Sequence, residues 1–100
     1  MRSLIVEEYE TYLSLERRLA SATIAIYTTE LSLFLEAGLD IDTVTMAEVQ
    51  AYVVEESKRR ALSARSVAKL LSALRSFFTY MQEKGLRRDN PVSLLPRPKE

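Results

Sequence analysis

The chain has no cysteine, no histidine and no tryptophan, and only two glycines and three prolines among its 100 residues. Without cysteine there is no disulfide framework, and nothing points to an oxidising compartment. Without histidine the commonest general base and the commonest metal ligand are both missing. Carboxylates alone remain as metal donors, and no acidic loop has EF-hand spacing, so no metal or other cofactor is expected. Gly38 and Gly85 lie too far apart to build a glycine-rich phosphate loop. No apolar run approaches the about 18 residues that span a bilayer. The start, MRSLIVEEYE, has charges where a signal peptide needs an apolar core. The chain reads as soluble and cytoplasmic. Neighbouring carboxylates such as Glu7/Glu8 and Glu55/Glu56 point about 100 degrees apart on a helix and do not converge on a substrate. These residues alone are not expected to form an enzyme or to take a small-molecule substrate.

What is present is a strong charge asymmetry behind a net charge of zero. Residues 1 to 57 hold three basic side chains against eleven acidic ones, a balance of −8. Residues 58 to 100 hold eleven basic against three acidic, a balance of +8. Two readings stay open: the second half has an anionic partner, or the two halves attract each other in the fold.

Apolar spacing predicts four amphipathic helices. In the first, Ile5, Tyr9, Tyr12 and Leu13 share a face behind Ser3 as N-cap. The second carries Ile24, Tyr27, Leu31, Phe34 and Leu35, with Ser21 placed to cap and Gly38 as a left-handed stop. The third opens with Thr45 and Glu48 at capping-box spacing, turns Met46, Val49, Tyr52 and Val53 inward, and closes on Lys58, Arg59 and Arg60. The fourth runs from Ser63 as N-cap to a stop at Gly85. Its Val67, Leu70, Leu71, Leu74, Phe77, Phe78 and Met81 span an arc of about 120 degrees, enough to pack on two or three neighbours.

The other face of that fourth helix is unusual. Arg65, Lys69, Ser72 and Ser76 lie opposite the apolar arc, with Arg75 on a flank. A face that needed only solubility would mix glutamate with lysine, yet no acid occurs between Glu56 and Glu83. Beyond Gly85, Asn90-Pro91 suits a turn leading into a short turn of helix over Val92 to Leu95. PRPKE then reads as an exit linker. One domain is expected over 1–95, with a linker to an absent domain beginning at 96–100.

The ordered set of residues resembles the core-binding domain that opens tyrosine recombinases and phage integrases, the Xer type above all. In the second half the matching features are Leu62-Ser63, Ser66, Leu71-Ser72-Ala73, Arg75, Phe77, Phe78, Tyr80, Gly85, Asn90-Pro91 and Pro98-Lys99. Upstream they are Tyr12, Leu13, Glu16, Arg17, Leu19, Thr23, Tyr27, Leu31 and Phe34. The resemblance implies an all-α, four-helix SAM-like orthogonal bundle with a short C-terminal helical turn. It also implies a module forming half of a clamp on double-stranded DNA, the second and fourth helices meeting the major groove.

On that reading Ser63 and Ser66 offer hydroxyls beside a helix N-terminus that attracts phosphate. Arg65 and Lys69 reach phosphates or base edges, and Arg75 reaches a phosphate from the flank, its alternative being an ion pair with Glu83 or with an acid of the first half. Arg59 and Arg60 complement the negative end of the third helix and are candidate contacts as well. Ser21 and Thr23 are placed to touch phosphate, although TIAIYTTELSLFLEAG carries no base where the family usually has one, and binding then leans on the fourth helix. Arg87 and Arg88 are expected to seek phosphate near the linker. The tyrosines are expected in the core, and none inherits the family's nucleophilic role, which belongs to its C-terminal domain. Other recombinase protomers are the second implied partner, with Tyr9 and Tyr12 of the first helix near an edge that serves their pairing. The leading alternative is a helical protein-interaction or dimerisation module without DNA binding, the acidic half of one copy docking on the basic half of another.

Overall fold

The computed structural model describes residues 3–96, and its helices start and stop where local chemistry requires. They are α1 (Leu4–Leu15), α2 (Ser21–Glu36), α3 (Met46–Arg59) and α4 (Ala64–Glu83). At α3 the expected capping box is complete: the Thr45 hydroxyl accepts from Glu48 N at 3.2 Å, and Glu48 accepts from Thr45 N at 3.0 Å. Ser63 caps α4, its hydroxyl accepting from Ser66 N at 3.2 Å. Gly38 and Gly85 follow α2 and α4 with φ of +87 and +72 degrees, backbone that glycine adopts without steric cost.

Two termini differ from expectation. Ala20, not Ser21, holds the N-cap of α2. Its carbonyl already accepts from Ile24 N at 3.0 Å, so the helix starts one residue early and Ser21 falls inside it. Residues 91–94 form hydrogen-bonded turns rather than a helix, through Ser93 N to Asn90 O at 3.2 Å and Leu95 N to Val92 O at 3.0 Å.

α4 is the hub, packing on α1, α2 and α3. Leu70, Leu74, Phe77, Phe78 and Met81 are fully buried against Val6, Tyr9 and Leu13 of α1, Leu31 and Phe34 of α2, and Val49 of α3. Edge-to-face ring pairs knit these layers: Phe34 with Tyr52 at 5.0 Å, Phe77 with Phe78 at 5.2 Å, and Tyr9 with Phe77 at 5.3 Å. Val92 and Leu95 seal one end of the core. Asn90 holds that seal, donating to Arg75 O at 3.1 Å and Thr79 Oγ1 at 3.2 Å and accepting from Val92 N at 3.0 Å. The described residues contain no strand, and the all-α expectation stands.

Candidate nucleic-acid interface

With its apolar arc committed to three helices, α4 has one face left for solvent. At 100 degrees per residue, Arg65, Lys69, Ser72, Ser76 and Thr79 fall within about 80 degrees of each other. Arg65 and Lys69 are exposed near the N-terminal end, while Ser72, Ser76 and Thr79 are half-buried further on. From Arg65 to Thr79 the row is about 21 Å long at 1.5 Å per residue. Its N-terminal end carries two hydroxyls side by side, Ser63 Oγ donating to Ser66 Oγ at 3.2 Å.

The C-terminal half of the row forms one wall of a groove between α4 and the start of α2. Ser72, Arg75 and Ser76 line it from α4, Thr23 and Tyr27 from α2, and Arg17 from the α1–α2 connection. The Arg75 guanidinium also donates to Val92 O at 3.4 Å and Leu95 O at 3.3 Å, which holds it at the groove's edge. α2 enters with its first N–H groups unmet by its cap, because Ala20 has no side-chain acceptor. Two guanidinium groups and five hydroxyls, those of Thr23, Tyr27, Ser72, Ser76 and Thr79, thus line one concave surface with no carboxylate among its described lining residues.

Residues 6–85 match the family described as "Phage integrase, N-terminal SAM-like domain". The chain belongs to this family. Among its relatives, the tyrosine recombinase of Pseudothermotoga lettingae is 31% identical over 100 residues, covering 95% of this chain and 35% of that protein. Tyrosine recombinase XerC of Yersinia pestis is 36% identical over 99 residues, covering 94% and 32%. The XerC of Xylella fastidiosa strain M23 is 32% identical over 102 residues, covering 97% and 34%. The chain spans about a third of the length of these relatives. No solved structure matches it. The family resemblance read from the sequence therefore holds. What matches is the family's N-terminal domain, in line with the expectation that these residues are not themselves the enzyme.

Within this SAM-like domain the expected site residues separate into groups. Thr23 and Arg75 meet in the groove, and Ser63, Arg65, Ser66 and Lys69 lie along the same outward face of α4. Ser21 stands apart, in a depression with Glu10 and Ser14 between α1 and α2. Arg59 and Arg60 lie away from the groove and hold carboxylates. Arg59 grips Glu56 through two 2.8 Å bonds. Arg60 bonds both oxygens of Glu30 at 3.0 Å and reaches Glu56 at 3.5 Å. Hydrogen bonds from Arg59 hold the Glu56 carboxyl below the usual carboxylate range, and Glu30 keeps Arg60 firmly charged.

Three expectations need correction. Arg87 is structural: its side chain, 9% exposed, donates to Ile41 O at 3.0 Å, to Val44 O and to Asp89 at 2.7 Å, and lies 5.4 Å from the Phe78 ring centre. It ties the α2–α3 loop to the segment after α4. Tyr9 and Tyr12 are buried, so neither offers an edge for protomer pairing. Glu83 receives the Tyr12 hydroxyl at 2.6 Å; Arg75 is instead seen bonding the carbonyls of the C-terminal turn. The linker expected at 96–100 lies outside the described residues apart from Pro96. No helix among the described residues is long and apolar enough to cross a membrane.

Arg17 is the functional candidate that the sequence hides. It sits in the acidic half, and its signal is its place among the family-matching positions Glu16, Arg17 and Leu19, to which the resemblance assigns no contact.

Proposed function

We propose that this chain is the duplex-DNA-binding module of a site-specific, Xer-like tyrosine recombinase or integrase. The parent protein is cytoplasmic and cuts and rejoins DNA through a phosphotyrosyl intermediate on a separate catalytic domain, which follows a linker starting near residue 96. Residues 1–95 position the duplex, and further protomers of the full-length protein complete the assembly. Neither a membrane nor a small-molecule substrate is a partner.

The observation that carries this reading is the outward face of α4: Arg65 and Lys69 one turn apart, small hydroxyls behind them, and no carboxylate in the helix before Glu83. A helix fits the major groove of B-DNA, and small side chains let its backbone approach. Arg65 and Lys69 contact phosphates or base edges, Ser63 and Ser66 contact phosphate at the helix start, and Arg75 and Thr23 grip the backbone from the groove. Ser21 touches phosphate only at the rim. Arg59 is a peripheral contact that shares its charge with Glu56, and Arg60 is assigned to the ion-pair network.

The test is duplex binding by fluorescence anisotropy for the wild type and for Arg65→Glu combined with Lys69→Glu. The double reversal is expected to weaken binding by about 100-fold, at least 1.4 kcal/mol for each lost charged contact, with unchanged helicity by circular dichroism. Unaltered affinity overturns the reading. Sedimentation velocity addresses the rival, since self-association without DNA binding makes the chain a dimerisation module.

A further inference from the structure

We infer that Arg17 is a phosphate-binding residue of the α2–α4 groove, and that Tyr12, backed by Glu83, is the residue that positions it. The inference rests on the DNA-binding reading above and adds a contact and a support that the reading does not contain.

Arg17 is exposed and lines the groove together with Thr23, Ser76 and Arg75. Its guanidinium lies near the Tyr12 hydroxyl, and that oxygen and the nearby Glu83 charge favour its charged form. The hydroxyl in turn donates to Glu83 Oε2 at 2.6 Å. The Tyr12 ring is 3% exposed and packs on Tyr80 with ring centres 4.8 Å apart. The hydroxyl is thus a fixed point at the end of a buried ring. Lys84 lies 5.6 Å from the same ring and is anchored on Glu16 at 2.9 Å, so the carboxylate next to Arg17 in the chain is taken up by Lys84, just past α4.

The chemistry separates a docking cation from a plain tie. A guanidinium has five N–H donors in a rigid fork, and one neighbouring phenol oxygen leaves most of them open. The remaining donors suit a phosphate, which the fork can meet with two parallel bonds. The carboxylate that would neutralise Arg17 bonds the tyrosine hydroxyl, so the cation is aimed through a neutral group.

Duplex binding of the full chain is measured across a series of salt concentrations for wild type, Arg17→Ala, Arg17→Lys, Tyr12→Phe, the Tyr12→Phe/Arg17→Ala double variant and Arg65→Ala. Arg17→Ala is expected to cost about tenfold in affinity and to reduce the salt slope by about 0.9, the value of one phosphate. Arg17→Lys is expected to keep the slope while losing part of the affinity. Tyr12→Phe, with an unchanged circular dichroism spectrum, is expected to reproduce most of the Arg17→Ala loss, and the double variant to be no weaker than Arg17→Ala. Wild-type affinity and slope in Arg17→Ala, alongside a weakened Arg65→Ala, overturn the inference and leave the DNA reading standing. Fully additive losses in the double variant overturn the positioning role of Tyr12. A wild type that binds no duplex removes the reading beneath and the inference with it.

Discussion

At the scale of single residues, charged side chains are where the sequence says least and the fold decides most. Arg59, Arg60 and Arg87 look alike in the sequence, yet Arg59 holds Glu56, Arg60 reaches across to Glu30 and Arg87 ties down Asp89. Glu56 shows the thermodynamic consequence. Its folded pKa is depressed by Arg59, so its stabilising contribution is present above the unfolded value of about 4.3 and is lost as pH falls through the lower folded value. Glu56→Gln is expected to lower stability at pH 7 and to lose less of what remains between pH 5 and pH 3 than the wild type does. Urea denaturation at several pH values measures this, and parallel pH profiles for the two proteins would contradict it. Apolar residues were more legible. Leu70, Leu74, Phe77, Phe78 and Met81 repeat at helical spacing and are all fully buried, because periodicity reports burial directly. No comparable rule tells whether an arginine meets a glutamate thirty residues away, as Arg60 meets Glu30.

At the scale of elements, helix ends follow local chemistry wherever a side chain supplies a bond. Thr45, Glu48, Ser63, Gly38 and Gly85 act as their residue types require. The starts of α1 and α2 differ: Ser3 is the N-cap of α1 without a side-chain bond, and α2 begins one residue early. Ser21 has the right chemistry, but Ala20 already has the extended backbone of a cap, with ψ of 147 degrees. This gives a paired prediction. Ser63→Ala removes a cap and is expected to cost about 1 kcal/mol, whereas Ser21→Ala replaces a helical residue by a better helix former and is expected to be neutral or slightly stabilising. Thermal melts of the two variants check it; equal destabilisation would place a cap at Ser21 after all. The groove between α2 and α4 was not legible at this scale. It arises where two helices and a connection meet, and no single element carries its pattern.

At the scale of the molecule, both readings of the charge asymmetry find support. Glu30 with Arg60, and Glu16 with Lys84, join the acidic half to the basic half, so part of the imbalance is internal. Another part gathers on one side of α4, where Arg65 and Lys69 share the outward face and Arg75 and the neighbouring Arg17 line a groove with no carboxylate among its described lining residues. The bundle class and the family were legible in the sequence because they rest on spacing and ordered motifs. The docking surface needed three dimensions, since Arg17 reaches the groove only once α1 and α4 have packed.

The salt dependence of duplex binding tests the central claim most directly. Four phosphate-seated cations predict a slope of log affinity against log salt of about −3 to −4, at about −0.9 for each phosphate. A flat dependence, or no duplex binding by a folded chain, would contradict it.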